Sequence, residues 1–416
     1  MKDYILAIGK KAKEASFDLA QSSATTRNNM IKHIIKGLES STEMIINENK
    51  KDLELGRSNG LSAALLDRLE INANRIEGMI SGLNTIINFE DPIHECLKSW
   101  RHENGMQITQ LSVPLGVIGM IYESRPNVTV DVAGLAIKSG NCVILRGGSE
   151  AIYTNKALSQ VIRQAISSEG MNPDVVQLVE HTDRALVKDL ITMNDYLDVL
   201  IPRGGRGLKK AIVAGASVPV IETGEGLCHT YVDESADLEK AFNIVMNAKT
   251  QRTGVCNAME TLLVHKKVVE MFLPKLNELL TEKAFEIRAC ETCLPHMKDA
   301  ILAVDEDWEI EYLSSILSIR SVESIEEAIT HINKYGSGHS EAVVTEHYQH
   351  AEKFLNEVDA SAVYVNASTR FTDGEVFGFG GEVGISTQKL HARGPMGIKA
   401  LTTHKYIVRG NGQIRL

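Results

Sequence analysis

The stretch PLGVIGMIYESRPN, residues 114–127, decides the fold class of this chain. Its centre, Val117–Tyr122, is a continuous apolar run of strand length, and a polar loop containing Pro126 follows it. The run does not alternate between apolar and polar residues, which is typical of a strand buried on both faces of a parallel sheet. A strand of that kind needs helices on either side of it.

Outward from this strand, helical and strand-length patterns alternate along the chain, and the segment before residue 91 holds amphipathic helical patterns. The first block predicts strands at Val117–Tyr122, Val143–Leu145, Val175–Val179, Leu197–Ile201 and Val218–Ile221. The second block predicts strands at Thr261–Val264, Ile316–Ile319, Ala342–Val344 and Ala362–Val365. Because helical patterns separate these strands, the sequence predicts an α/β protein with two doubly wound, Rossmann-like lobes.

Two segments outside these blocks predict a small β arm. Asn104-Gly105 lies between strand-like residues in Trp100–Leu111, which is a strong signal for a β-hairpin turn. The tail segment Thr403–Val408 also has strand character. Because a two-stranded hairpin is marginally stable by itself in water, we expect an arm that pairs with another subunit. The alternative is a flap that covers its own subunit.

Composition and charge limit the functions that this chain can have. It has 416 residues, 43% of them hydrophobic, and a formal net charge of -10. The acidic balance argues against nucleic acid or an anionic membrane surface as the main partner. No run approaches the roughly 20 apolar residues of a membrane-spanning helix, and the N-terminal sequence does not resemble a signal peptide. The six scattered cysteines are typical of reduced thiols in the cytoplasm.

The pair Cys290 and Cys293, with His296 close behind, leaves two interpretations open. The spacing is that of half a zinc site, but the sequence offers no second ligand pair of suitable spacing. A redox dithiol is the other interpretation. We therefore expect no metal in this protein.

Cys256 is the candidate nucleophile. It lies in the segment QRTGVCNA between a predicted helix and a predicted strand, with Lys249 and Arg252 close in sequence. Cationic neighbours favour the thiolate, which is the nucleophilic form of cysteine. Asn257 can offer its amide or its backbone N–H to an oxyanion. The alternative is a plain buried cysteine, which is also the interpretation favoured for Cys228.

Two glycine-containing loops, each between a strand and a helix, are candidates for binding nucleotide phosphates. Gly204 and Gly205 lie among arginines in the first loop, and Arg146 precedes two glycines and Ser149 in the second. Glycines allow close backbone approach to an anion, and a helix N-terminus offers N–H groups to it. An arginine suits the 2′-phosphate of NADP. The alternatives are plain turn glycines and a solvated loop.

Taken together, these motifs resemble the aldehyde-dehydrogenase superfamily over nearly the whole chain. PLGVIGMIYESRPN resembles the first strand and oxyanion loop of that superfamily, and TGVCN, residues 253–257, resembles its nucleophile loop. Glu222 stands in a segment similar to the glutamate-glycine loop, and Glu311 stands where the superfamily has the glutamate that holds the nicotinamide ribose. FGFGG, residues 377–381, resembles a late glycine-aromatic loop.

The resemblance implies a domain organisation and a homo-oligomer. Residues 1–98 and 113–226 would form the NADP-binding domain, and residues 227–397 the catalytic domain, with the boundary within 367–397 left open. Residues 99–112 and 398–416 would form the oligomerisation arm.

Within the superfamily, the chain resembles the γ-glutamyl phosphate reductases. VESIEEAITHINKYGSGHSEAV, residues 322–343, has the spacing of that branch, and LSAALLDRL, residues 61–69, is also typical of it. The resemblance implies NADPH-dependent reduction of L-glutamyl 5-phosphate to L-glutamate 5-semialdehyde and phosphate, the second step of proline biosynthesis from glutamate. It implies a cytoplasmic enzyme that acts on a small-molecule acyl phosphate, and it leaves open a complex with glutamate 5-kinase.

The resemblance also implies the residues that act on the substrate. Cys256 would attack the acyl carbon and form a thioester. Arg125, Lys249 and Arg252 would stabilise the leaving phosphate, and His339 would lie in the substrate region.

Three positions depart from the pattern of hydrolytic aldehyde dehydrogenases. Ser124 stands near the place of an asparagine that helps to hold the oxyanion, and it would substitute for that residue. Glu222 matches the general base that hydrolyses a thioester, a reaction that a reductase must avoid. Arg146 replaces the lysine that meets the adenosine ribose, which agrees with a 2′-phosphate.

Two other functions stay open. One is an NAD-dependent aldehyde dehydrogenase of the same fold, which would not need inorganic phosphate for oxidation. The other is a non-catalytic binding protein, against which the TGVCN loop and Glu311 argue.

Overall fold

The computed structural model describes residues 2–379 and 381–415, and the chain divides into two compact units. Unit 1 comprises Met1–Glu222, Gly378–Gly384 and Met396–Leu416, and unit 2 comprises Thr223–Phe377 and Ile385–Pro395. The first division falls after Glu222, where the sequence analysis expected it after residue 226. Both segments that were expected to form a separate arm belong to unit 1.

Unit 1 contains a four-stranded parallel sheet. Its strands, in sheet order, are β5 (Val176–Leu178), β4 (Cys142–Arg146), β3 (Val117–Tyr122) and β6 (Val199–Arg203). Strand β3 begins and ends where the apolar run predicts, and each of its residues is buried. At its centre a Cβ on Gly119 would lie 2.6 Å from Cδ2 of Leu200, so any larger residue at this position would require the Leu200 side chain to move.

The prediction of a strand at Val218–Ile221 is wrong. Only an isolated bridge between Leu200 and Val220 joins this segment to the sheet. Pro219 explains the difference, because it accepts a hydrogen bond from the Leu200 N–H over 2.8 Å but has no N–H to donate to a ladder.

Helices surround this sheet, and each long helix buries one apolar stripe. They are α1 (Lys2–Gln21), α2 (Ala24–Ser40), α3 (Thr42–Ser58), α4 (Ala63–Leu69), α5 (Ala73–Ile87), α6 (Asn127–Lys138), α7 (Ile152–Ser168), α8 (Ala185–Leu190) and α9 (Arg206–Gly215). None of the helices that the structure describes combines the length and the apolar character needed to cross a bilayer.

The predicted hairpin and the predicted tail strand together form a three-stranded antiparallel sheet in unit 1. Its strands, in sheet order, are β1 (Cys96–Arg101), β2 (Gln107–Pro114) and β16 (Thr402–Arg409). Gly105 forms the hairpin turn with a φ of 92°, which suits glycine. The tail therefore pairs with the hairpin of its own chain, and β1, all of whose residues are exposed, forms one edge of this sheet.

Unit 2 contains a seven-stranded parallel sheet. Its strands, in sheet order, are β10 (Ile301–Leu302), β9 (Glu286–Ala289), β11 (Ile316–Val322), β8 (Met259–His265), β7 (Cys228–Val232), β12 (Ser340–Val344) and β13 (Ala362–Val365). Its helices are α10 (Leu238–Thr250), α11 (Val269–Glu282), α12 (Ile325–Tyr335) and α13 (Tyr348–Glu357). A short pair, β14 (Ile385–Ser386) and β15 (Gly394–Pro395), completes the unit. The expected fold class, with two parallel α/β sheets, is confirmed.

A buried carboxylate in unit 1 joins α3 to the start of α7. Asp52 is fully buried, and one of its oxygens accepts hydrogen bonds from the Thr154 N–H at 2.7 Å and the Thr154 hydroxyl at 2.5 Å. The Tyr153 N–H donates to the other oxygen at 3.1 Å. These donors lie in the first turn of α7, where N–H groups have no partner within the helix. Burial raises the pKa of Asp52, and the hydrogen bonds oppose this rise.

Replacing Asp52 with alanine should lower the free energy of unfolding by about 1–3 kcal/mol, because buried N–H groups would lose their acceptor. The measurement is urea unfolding of the purified variant. The matched control is Glu54→Ala on the same helix, which removes an exposed carboxylate and should change stability by less than about 0.5 kcal/mol. Equal unfolding midpoints for the two variants would contradict this account of Asp52.

Candidate active site

Cys256 lies in the loop between α10 and β8, as the sequence predicts. Because the strands of this sheet are parallel, the segments that precede them meet at one edge. Glu311 precedes β11, His339 directly precedes β12, and Cys228 is the first residue of β7. The sheet of unit 2 therefore gathers these side chains at the amino ends of its strands.

The Cys256 loop packs closely against the segment that leads into β7. The Cys228 thiol donates a hydrogen bond to the Cys256 carbonyl oxygen over 3.2 Å. A Cβ on Gly226 would lie 1.5 Å from the same oxygen, so only glycine fits there. Burial raises the pKa of the Cys228 thiol well above its ordinary value, which keeps it protonated as a donor. Cys256 itself is half-buried.

The side chain of Asn257 fixes the loop. Asn257 is buried, and its amide nitrogen donates to the carbonyl oxygens of Thr372 at 2.8 Å and Arg370 at 3.3 Å. The Thr369 hydroxyl donates to the Asn257 carbonyl oxygen at 2.8 Å. Because the amide is already used in these contacts, the prediction that it holds an oxyanion is wrong, and the backbone N–H of Asn257 is the group left for that role.

The expected role of Lys249 in phosphate binding is also wrong. Lys249 and Glu260 are both fully buried and form an ion pair with an N–O distance of 2.5 Å. Burial lowers the pKa of Lys249 and raises that of Glu260 to about 7, and their mutual attraction opposes both shifts. A buried lysine that is paired in this way braces the protein and does not contact a substrate.

The same carboxylate reaches the segment that contains Glu311. The Leu313 N–H donates to Oε1 of Glu260 at 3.1 Å. Glu311 in turn accepts a hydrogen bond from the Gly226 N–H at 2.7 Å. This contact places the carboxylate of Glu311 beside the segment on which the Cys256 loop rests.

His339 is fully buried, so its expected contact with a substrate is wrong for this structure. Its Nδ1 lies 2.7 Å from the Ser340 hydroxyl and 3.7 Å from the Cys228 sulfur. The Ser340 hydroxyl lies 2.6 Å from that of Thr372, whose carbonyl oxygen accepts a hydrogen bond from the Asn257 amide. His339 thus belongs to a buried polar network that supports the Cys256 loop.

Two arginines lie near Cys256, and the sequence analysis identified only one of them. Arg252 is exposed, and Arg370 is half-buried with its Nε donating to Gln251 at 2.8 Å. Burial and the charge of Arg252 lower the pKa of Arg370, and the charge of Cys256 opposes this shift, so Arg370 interacts electrostatically with the Cys256 loop. Arg370 was missed because it lies in a distant segment of the chain and no local motif marks it.

A cleft in unit 1, with a volume of about 1380 Å³, contains the predicted cofactor residues Arg146 and Ser149. Arg184 and Lys188 also line it, and the sequence analysis did not identify them. Arg146 donates to the Thr182 carbonyl oxygen at 3.1 Å. Its Nε is buried and lacks a hydrogen-bond partner among the described residues, and burial lowers its pKa. These cationic and hydroxyl groups fit the phosphates of a nicotinamide dinucleotide.

In unit 1, two of the predicted anion-binding segments already donate hydrogen bonds to carboxylates of the protein itself. Both the N–H and the hydroxyl of Ser124 donate to Oε1 of Glu150, at 2.6 and 2.7 Å. The Gly205 N–H donates to Glu123 at 2.9 Å, and a Cβ on Gly204 would lie 2.5 Å from the same carboxylate oxygen. These contacts count against Ser124 as an oxyanion donor and against Gly204 and Gly205 as phosphate ligands, because negative groups already fill their places.

The remaining predicted positions lie in loops. Arg125 is half-buried after β3, and Glu222 is exposed where unit 1 ends. Gly380 of the predicted FGFGG loop lies outside the described residues. Within residues 2–379 and 381–415, no group of three or more metal-ligating side chains could hold an ion.

Comparison with known proteins gives consistent results. The model of the aldehyde dehydrogenase family matches residues 2–287 and 295–407. A Gamma-glutamyl phosphate reductase of Francisella philomiragia is 55% identical over 411 residues, which cover 99% of each chain. One of Halothermothrix orenii is 54% identical over 415 residues, covering 100% of this chain and 99% of the relative.

Among solved structures, the crystal structure of Gamma-glutamyl phosphate reductase from Thermotoga maritima superposes with a TM-score of 0.97. It is 48% identical, and the superposition covers 99% of this chain and 100% of that one. The family match and the similarity of the whole chain show that this protein belongs to the aldehyde dehydrogenase family.

Proposed function

We propose that this chain reduces L-glutamyl 5-phosphate to L-glutamate 5-semialdehyde, with release of inorganic phosphate, through a thioester on Cys256. The observation that carries the proposal is the half-buried Cys256 in a braced loop with Arg252 and Arg370 near it. The name and the full-length similarity of the relatives, at 55% and 54% identity, supply the substrate. The reaction is the second step of proline biosynthesis from glutamate.

The two arginines give the nucleophile loop its chemistry. Their charges favour the thiolate of Cys256, which attacks the acyl carbon of the substrate. The C–O bond to the phosphate then breaks, and the same charges stabilise the leaving phosphate. The backbone N–H of Asn257 stabilises the oxyanion that forms during attack. When bound, NADPH supplies the hydride that reduces the thioester.

The cleft in unit 1 is the proposed site for the cofactor. A nicotinamide cofactor is the common requirement of the family, and we assign NADPH because Arg146, Arg184 and Lys188 offer positive charge to a 2′-phosphate. Ser149 adds a hydroxyl from the same cleft. We place the reaction in the cytoplasm, in a homo-oligomer, and a complex with glutamate 5-kinase would protect the labile acyl phosphate.

Replacing Cys256 with alanine should lower kcat/KM by more than about 10³-fold, because no other group forms the covalent intermediate. The measurement is phosphate release and NADPH oxidation with freshly formed acyl phosphate. Cys96→Ala removes an exposed cysteine of unit 1 and should keep full activity. If the Cys256 variant turns over at the normal rate, the reaction does not pass through this thioester.

Oxidation of glutamate 5-semialdehyde should depend on inorganic phosphate, because phosphate releases the acyl group from Cys256 in this direction. The assay follows NADP⁺ reduction with and without phosphate, and it is repeated with NAD⁺. In the absence of phosphate, mass spectrometry should detect an acyl group on Cys256. A rate that is the same without phosphate would identify a hydrolytic aldehyde dehydrogenase instead.

Replacing Arg146 with alanine should raise the KM for NADPH by about 10- to 100-fold, since a hydrogen bond to a charged group contributes about 1.5–3 kcal/mol. The KM for NADH should change little. Arg146→Lys keeps the positive charge but lacks the planar guanidinium, so its KM for NADPH should lie between those of the unsubstituted protein and Arg146→Ala. An equal loss for both cofactors would show that Arg146 does not contact the 2′-phosphate.

A further inference from the structure

A second pair of reactive groups lies away from the Cys256 loop. Cys290 directly follows β9, and Cys293 lies three residues further on. In a parallel sheet the carboxyl ends of the strands are at the opposite edge from the amino ends, so about one strand length, on the order of 15–20 Å, separates this pair from Cys256. The proposed reaction uses neither thiol.

The chain turn holds the two cysteines together. The N–H groups of Cys293 and Leu294 both donate to the Cys290 carbonyl oxygen at 2.9 Å. This turn leads into a 3₁₀ helix, Leu294–His296. The turn keeps the two residues close together, and the two thiols shift each other's pKa in opposite directions.

The surroundings make the two thiols unlike each other. Cys290 is half-buried, and its sulfur also accepts a hydrogen bond from the Ser321 N–H at 3.3 Å. The hydrogen bond from Cys293, together with backbone N–H groups and against the effect of burial, lowers the pKa of Cys290 to about 5. Cys293 is buried, and its role as a donor to Cys290 together with burial raises its pKa. One partly exposed thiolate therefore lies beside one protected thiol.

We propose that Cys290 and Cys293 form a second, redox-active site that takes a peroxide as its substrate, with Cys290 as the attacking sulfur and Cys293 as the resolving one. This arrangement matches the general requirements for a redox-sensitive cysteine, which are a stabilised thiolate, solvent access and a neighbouring thiol. The proposal does not rest on the reductase activity, because it involves other residues at another edge of the sheet.

The reaction balances with hydrogen peroxide as the only co-reactant. The Cys290 thiolate attacks one peroxide oxygen and the O–O bond breaks. Hydroxide departs, and Cys290 becomes a sulfenic acid. The Cys293 thiol loses its proton and attacks the sulfenic sulfur, and water leaves as the disulfide forms. The two sulfurs lose two electrons, which the peroxide gains. A metal ion fits this site less well than a peroxide, because no His, Cys, Asp or Glu among the described residues joins the two cysteines in a group of three.

The first test measures the rate of iodoacetamide labelling of each cysteine against pH by peptide mass spectrometry. In the folded protein, the labelling rate of Cys290 should be half-maximal near pH 5. In the urea-unfolded protein, the same residue should titrate near the value of a free thiol, about 8.5. Identical profiles in the folded and unfolded protein would overturn the proposal.

The second test treats the folded protein with one equivalent of hydrogen peroxide and maps its disulfides. A Cys290–Cys293 bond should form before exposed Cys96 is oxidised. In Cys293→Ser, dimedone should trap a sulfenic acid on Cys290, whereas in Cys290→Ser the buried Cys293 should stay reduced. Oxidation of Cys96 with Cys290 still reduced, or a Cys290 sulfenic acid that persists in the unsubstituted protein, would overturn the proposal. Neither test measures reductase activity, so a negative result for the peroxide site leaves the proposed function untouched.

Discussion

The buried ion pair between Lys249 and Glu260 is the interaction on which the nucleophile loop depends. Lys249 lies in the last turn of helix α10 before the loop, and Glu260 belongs to strand β8 after it, so the pair closes the loop at its base. The other carboxylate oxygen of Glu260 accepts the Leu313 N–H and thereby fixes the segment that contains Glu311. Leaving one of the two charges alone in this interior would cost about 3–5 kcal/mol. The position of Cys256 is therefore set by charges that never reach a substrate.

The candidate site residues lie at opposite strand ends in the two parallel sheets. In unit 1, Arg146 and Ser149 lie at the carboxyl ends of the parallel strands, which is where α/β proteins commonly bind ligands. In unit 2, Cys256 and Glu311 lie at the amino ends. A loop at an amino end lacks the helix N-termini that favour anions at the other edge. Positive charge beside Cys256 must then come from side chains, and Arg252 and Arg370 are the candidates for supplying it.

Much of the fold could be predicted from the sequence, and the failures have physical causes. Val117–Tyr122 was located residue by residue, because a run buried on both faces is apolar throughout. Ala362–Val365 was also located residue by residue, although only Ala362 is buried in that strand. Strand β7 was missed because its residues CHTYV are buried yet partly polar. His229 is tolerated there because its backbone N–H donates to Oε2 of the buried Glu341 at 2.7 Å, and its Nδ1 lies 2.9 Å from the same oxygen. A single sequence cannot show that Glu341, more than a hundred residues away, is the hydrogen-bond partner of His229.

The same difficulty explains the errors at the site. A lysine and a histidine near a catalytic cysteine suggest contact with the substrate, yet Lys249 and His339 are fully buried. Burial also decides their electrostatic effect. It raises the pKa of Glu341 well above its ordinary value and lowers that of His229 to about 3, so this pair is a neutral hydrogen bond rather than an ion pair. The interior next to Cys256 thus adds little net charge, and the electrostatic field at Cys256 is left to Arg252 in its loop and to Arg370 in the 3₁₀ helix Thr369–Phe371.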